Sequence, residues 1–197
     1  MADIDVTLQF FLLRIATPLV FIWLIARHVF GIRWKSVRLK LEAVLFYYTC
    51  GILHSRLCSK EKLLLFRSMP DLKEKLNVSS LNILEIGIGS GQNFDHYPAG
   101  STVTALDPNP DHEFYMNKNL QRSLNRINFK GFIRGFGENM SQVETGSFDA
   151  VVCTLTLCSV REPRLVLSEV NRVLRKVCCV VPYYWYSRIF QFILISI

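Results

Sequence analysis

An α/β architecture, a doubly wound parallel sheet with helices on its faces, follows from three observations. Short apolar runs alternate with helical stretches from about residue 80 onward. Glycines at alternate positions, Gly87, Gly89 and Gly91, follow the first apolar run without a break. An acid, Asp107, closes the second run sixteen residues after Gly91. Open α/β sheets bind ligands at the carboxyl ends of their strands, and both the glycines and the acid fall there.

The residues before this pattern divide in two. Residues 6–30 are mostly apolar, interrupted by Arg14 and by Pro18, which kinks a helix. Their cleanest stretch, from Ile15 to Ala26, is short for a bilayer crossing. Arg27, Arg33, Lys35, Arg38 and Lys40 follow and suit anionic lipid head groups. The expectation is a membrane anchor with a basic flank over residues 1–35, either a tilted signal-anchor or a helix lying in one leaflet. A buried core helix is the alternative. No small-residue cleavage pattern marks the segment for removal. Residues 36–79 read as a helical lead-in. Leu39, Leu41, Val44, Leu45, Tyr48 and Ile52 fall on one helical stripe, and Leu63, Leu64, Leu65 and Phe66 form a second patch.

The core is expected over residues 80–181. Its first strand runs from Leu81 to Ile86, and a helix is expected from about Gln92. Tyr97-Pro98-Ala99-Gly100 turns the chain into a second strand, Thr102 to Leu106, that ends at Asp107. Pro108-Asn109-Pro110 stops it, and Asp111 caps a helix reaching about Arg126. Phe129–Ile133 and Phe148–Thr154 read as the third and fourth strands. Pro163 suits the first turn of a helix that ends near Arg175.

Charge narrows the partners. The chain carries a net +7, but residues 1–76 hold 12 basic and 6 acidic side chains, leaving 11 and 10 for the rest. The cofactor region is therefore nearly neutral, which argues against nucleic acid and for a membrane surface as the basic region's partner. Six cysteines include no C-x-x-C and no companions at zinc spacing, so no metal is expected and reduced thiols are.

The glycine spacing separates two nucleotide readings. A dinucleotide fingerprint is G-x-G-x-x-G, yet the sixth position counted from Gly87 is Gln92. What stands here is E-x-G-x-G-x-G, from Glu85, followed by the acid Asp107. Glycine without a Cβ turns tightly and lets a ligand approach the backbone. A carboxylate at the tip of the next strand suits a ribose diol.

Leu84-Glu85-Ile86-Gly87-Ile88-Gly89-Ser90-Gly91-Gln92-Asn93-Phe94, Ala105-Leu106-Asp107-Pro108-Asn109-Pro110, Gly137-Glu138-Asn139-Met140 and Val151 to Val160 together resemble the membrane-associated methyltransferase-like proteins. These are class I S-adenosylmethionine (SAM)-dependent enzymes acting as alkyl thiol S-methyltransferases. The resemblance implies a Rossmann-like class I methyltransferase fold, SAM as cofactor and a small hydrophobic thiol as acceptor. It also implies residence on the endoplasmic reticulum membrane and lipid droplets, with the enzymatic domain facing the cytosol. Carried over by position, Glu85, Gly87, Gly89 and Gly91 shape the methionine and ribose pocket. Asp107 binds the ribose hydroxyls, Pro108 and Asn109 line the adenine side, and Gly137 and Glu138 sit where the adenine edge is read.

After Arg175 the chain departs from that family, which continues with Pro-Gly-Gly, a fifth strand, further helices and a final strand pair. Val177 to Val181 stand in as a fifth strand, and residues 182–197 read as an apolar tail with nothing left for the antiparallel pair. The C-terminal strands are thus expected to be incomplete, as in a shortened product. A catalytically inactive, membrane-bound remnant is the alternative reading. No catalytic base is assigned. Asp149 reads as structural. Cys158, near the reacting methyl, is a candidate for acceptor contact but reads as a small packed side chain, and His96 and His112 are candidates by proximity to the motifs only and read as surface residues.

Overall fold

The computed structural model describes residues 35–48, 59–67, 69–154, 156–175, 179–185 and 189–195. The chain divides into two compact units, Met1–Lys40 and Leu41–Ile197. Of the first, only the opening residues of helix α1 (Lys35–Phe46) are described. The apolar segment 6–30 lies outside the described residues, and no helix among them is long and apolar enough to cross a membrane.

The second unit holds α2 (Ser59–Phe66), α3 (Met69–Lys75), β1 (Asn82–Ile86), β2 (Thr102–Asp107), α4 (His112–Ser123), β3 (Asn128–Arg134), β4 (Ala150–Cys153), α5 (Pro163–Val173), β5 (Cys179–Trp185) and β6 (Ile189–Ile195). They form a six-stranded sheet in the order β3-β2-β1-β4-β6-β5. The first four strands are parallel, with Glu85 opposite Ala105 on one side and Val152 on the other.

Parallel strands covered on both faces are apolar throughout, because neither face meets water. Ile83, Val103, Ala105 and Val152 point to one face and pack with Leu65, Met69, Leu72, Met116 and Leu120. Leu84, Ile86, Leu106, Val151 and Cys153 point to the other and pack with Val166, Val170 and Val173 of α5. The sequence stripes in the lead-in are only partly buried. Leu41, Tyr48, Leu63 and Leu64 face solvent, whereas Ala43, Leu65 and Phe66 are buried. Ile52 lies outside the described residues.

Two expectations need correction. The first is the helix after the glycines, which is a single 3-10 turn, Phe94–His96. Tyr97 precedes Pro98, which disfavours helical backbone, and it is extended at φ −72° and ψ 145°. Too few residues separate Gly91 from that stop to nucleate an α-helix. The second is the C-terminal end. Residues 189–195 are not a free tail but strand β6, antiparallel to both β4 and β5. The expected fifth strand becomes the edge, and the hairpin inserts its second arm beside β4. An apolar run of alternating register satisfies its backbone groups in a ladder, which the tail reading left unpaired.

Candidate functional site

The site forms where β1 and β2 end side by side. Gly87, Gly89 and Gly91 all have positive φ, at 70°, 52° and 71°, a region that costs other residues strain. Gly87 donates its amide to Leu106 O at 2.8 Å, and Gly91 to Ile88 O at 2.9 Å. The central amide, Gly89 N–H, donates to Asp107 Oδ2 at 3.0 Å. The glycine amides therefore brace the loop rather than pointing free from a helix start. Side chains are excluded here: a Cβ on Gly87 would fall 2.2 Å from Thr156 Oγ1, and one on Gly89 2.5 Å from Phe46 Cε1.

Asp107 is 3% exposed and fixed from two sides. Besides Gly89, Asn109 N–H donates to its Oδ1 at 2.8 Å. A carboxylate offers about four lone-pair positions, so acceptor capacity remains beyond these two amides. His112 Nδ1 lies 3.0 Å from Asp107 Oδ2, and the ring is tilted against Phe46 with centroids 5.5 Å apart. His112 is thus a member of the site rather than a surface residue. Pro108 is exposed, while Asn109 is buried and accepts Asp111 N–H at 3.0 Å through Oδ1. Asp111 precedes α4 and makes no side-chain cap bond.

Glu85 sits below the loop with both oxygens engaged. Asn93 Nδ2 donates to Oε1 at 2.7 Å, and the Tyr97 hydroxyl donates to Oε2. Burial pushes the Glu85 carboxyl up to about 7, against the opposing pull of those bonds and of Lys62. Lys62 is itself buried, and its Nζ reaches Gln92 O at 3.4 Å. Asn93 also donates to Thr154 Oγ1 at 2.9 Å, so the network ties the ends of β1 and β4 together. Thr156 Oγ1 donates to Ile86 O at 3.0 Å.

The remaining sequence candidates are held by contacts of their own. Gly137 is buried, and a Cβ there would fall 3.0 Å from Ile86 Cγ2. Glu138 accepts Arg161 N–H at 2.9 Å, holding the loop after β4. Asp149, at the opposite end of the strands, accepts Asn82 N–H at 2.8 Å and pairs with Arg175. His96 is half-buried and stacked on Phe66 at 5.3 Å, and burial lowers its pKa. Cys158 is exposed rather than packed, with Sγ 3.7 Å from Ser159 Oγ. Buried Cys153 has its thiol pushed up to about 12 by desolvation. Among the described residues no cluster of His, Cys, Asp and Glu fits a metal ion.

Sequence reasoning missed Asn93, Tyr97 and Lys62, and named His112 only by its proximity to the motifs, as a surface histidine. Asn93 stood inside the glycine motif and was the readable one. His112 and Lys62 reach the site from separate helices, so no local spacing marked them.

A braced glycine turn after β1, a carboxylate at the tip of β2 and a parallel sheet around them make the corner at which open α/β sheets bind ligands. Residues 84–179 match the family described as a methyltransferase domain. The chain is also similar to thiol S-methyltransferases. It is 43% identical over 133 residues to thiol S-methyltransferase TMT1B of Mus musculus, covering 66% of this chain and 53% of that protein. It is 48% identical over 95 residues to thiol S-methyltransferase TMT1A of Homo sapiens, covering 48% and 38%. The chain thus spans about half the length, or less, of the relatives it matches. Among solved structures, magnesium protoporphyrin IX methyltransferase from Synechocystis, with bound SAM, has a TM-score of 0.56 at 12% identity over 84% of this chain and 98% of that one. That likeness is one of fold.

Proposed function

We propose that this chain transfers the methyl group of SAM to the sulfur of small hydrophobic thiols at a membrane surface, on the endoplasmic reticulum and lipid droplets, with its domain in the cytosol. The observation that carries the chemistry is the bond between Gly89 N–H and Asp107 Oδ2, which sets a tight glycine turn against a ribose-binding acid. The acceptor class rests on the relatives' names, and the membrane on the apolar and basic N-terminal sequence.

SAM, when bound, supplies an activated sulfonium methyl for in-line displacement by a nucleophile. The residues fit such a ligand. Asp107 keeps acceptor capacity toward the ribose, Pro108 and Asn109 would line the adenine side, and the glycine turn admits the ligand close to the backbone. The protein's own work is orientation and exclusion of water, since the sulfonium donor is already activated; the acceptor attacks as its thiolate, its proton passing to solvent. No side chain is assigned as a base.

The test is titration calorimetry of the full chain with SAM, followed by mass detection of the S-methylated product of a small alkane thiol. Heat of binding and methylated thiol are expected. A folded sample that takes up no SAM overturns the reading, and SAM uptake without any methylated thiol selects the inactive alternative. Membrane placement is checked by flotation with vesicles containing anionic lipid.

A further inference from the structure

An aromatic row that the cofactor corner does not use runs across the surface beside it. Tyr48 meets Tyr47 edge to face with ring centroids 5.1 Å apart, Tyr47 lies against Tyr115 at 4.9 Å, and Tyr115 meets Phe114 edge to face at 5.2 Å. Tyr47 and Tyr48 follow α1, whereas Phe114 and Tyr115 belong to the first turn of α4. The two inner rings are partly buried, and the two outer ones, Tyr48 and Phe114, are 62% and 60% exposed. Lys118 Nζ stands 4.5 Å from the Phe114 centroid and 5.5 Å from that of Tyr115. These ring contacts order the row in advance, so little freedom is lost when a partner docks on it. Rings gathered at the surface in this way mark an interaction site rather than scatter.

Charge says what kind of partner fits. Phe114, Lys118 and Arg122 stand at i, i+4 and i+8 of α4 and so share its outward face, opposite buried Met116 and Leu120. Lys118 and Arg122 are exposed, and the acid Glu113 lies about 100° round the helix from Phe114. Ahead of Tyr47 in the chain stand Arg27, Arg33, Lys35, Arg38 and Lys40, and before them the apolar segment 6–30. Aromatic rings interleaved with long basic side chains suit a lipid interface, where rings sit at head-group level and cations meet phosphates. Such a face gains most from anionic phospholipid.

We propose that the row of Tyr48, Tyr47, Tyr115 and Phe114, with Lys118 and Arg122, seats the folded domain on an anionic phospholipid bilayer, as a contact separate from the apolar N-terminal segment. The inference rests on the membrane placement proposed above and says which face of the domain turns toward the lipid. It has a consequence for the site. Phe46, next to Tyr47, packs on His112 with centroids 5.5 Å apart and closes on Gly89. A domain seated on this row holds its cofactor corner near the head groups, where a small apolar thiol concentrates out of water.

The experiment photo-crosslinks the full chain to vesicles of phosphatidylcholine and phosphatidylserine that carry a diazirine phospholipid, and maps the adducts by peptide mass. Adducts are expected on the peptides carrying Tyr47, Tyr48 and Phe114, besides those on residues 6–30. The peptide carrying Leu165 and Leu167 is the internal control. Both side chains are exposed, but they belong to α5, which packs on the other face of the sheet from α4. The double variant Phe114→Ser with Lys118→Glu should lower the α4 adduct at least about fivefold and leave adducts on residues 6–30 within about twofold. Vesicles of phosphatidylcholine alone should lower the α4 adduct by a similar factor. The comparison of α4 with α5 stands on the wild type alone, whatever the stability of the variant. Adducts confined to residues 6–30, equal adducts on the α4 and α5 peptides, or an α4 adduct indifferent to the double variant overturn the inference and leave the membrane placement standing. A row that serves another protein instead gives the first of these results. No adduct on any peptide of a chain that still binds SAM removes the membrane placement as well.

Discussion

Gly89 donates its backbone N–H to Asp107 across 3.0 Å, joining the turn after β1 to the tip of β2. This bond holds the acid in place without using up its capacity. Asp107→Ala would strand two buried amides, those of Gly89 and Asn109, at about 1–3 kcal/mol each. Urea unfolding should register that loss, and calorimetry should find SAM affinity down by about a hundredfold. Asp107→Asn keeps one acceptor oxygen and should lose about tenfold. Unchanged affinity in both variants would remove Asp107 from the site.

Gly89→Ala should fail on two counts. Its φ of +52° strains any L side chain, and its Cβ would fall 2.5 Å from the Phe46 ring. The expected destabilisation is about 1–3 kcal/mol by chemical denaturation. The double variant with Phe46→Ala relieves the collision but not the backbone strain, so it should recover only part of the loss. Full recovery would show that the backbone tolerates this conformation.

The Glu85 carboxyl makes stability depend on pH. Its folded value, about 7, lies above the ordinary carboxyl value of 4.5, so the folded state holds this proton more tightly than the unfolded state. Below about pH 4.5 both states are protonated and the group costs nothing. As pH rises toward 7 the unfolded chain releases the proton first, and stability falls by about 3 kcal/mol in total. Glu85→Gln should flatten that decline between pH 4.5 and 7 in a series of urea melts. A wild-type decline that survives in the variant would place its origin elsewhere.

Asp149 separates scaffold from site. It accepts Asn82 N–H and pairs with Arg175 at the amino ends of β1 and β4, away from Asp107. Asp149→Ala should cost about 2–3 kcal/mol in unfolding experiments, because a buried donor loses its acceptor. SAM affinity of the folded fraction should stay within about twofold. A tenfold loss of affinity would contradict the structural role.

The two described free cysteines should differ in reactivity. Cys153 is buried with its thiol near 12, and Cys158 is exposed. Brief treatment of native protein with iodoacetamide should label the peptide carrying Cys158 and spare Cys153, read by peptide mass mapping. Labelling of Cys153 at the same rate would mean that β4 opens readily.

Legibility in the sequence followed the range of the interactions. Strands β1 to β4 and helices α4 and α5 were readable because apolar runs and proline stops act within a few residues. The helix expected after Gly91 was not readable from apolar content alone, since Pro98 decided it from seven residues downstream. The β5–β6 hairpin was missed because an apolar tail carries no signal naming the strand it pairs with. His112 looked like an ordinary histidine at a helix start until α4 brought it to Asp107.

By itself the sequence determined that a tight glycine turn follows the first strand and that an acid closes the second. Both are demands of local backbone: positive φ needs glycine, and Pro108 ends the strand at Asp107. Only the tertiary structure decided who meets at that corner. Asn93 and Tyr97 close on Glu85, Lys62 is buried beside it, and His112 turns toward Asp107, because helices from separate parts of the chain pack on one sheet. Those meetings depend on burial and register across the whole core, and no window of sequence holds that information.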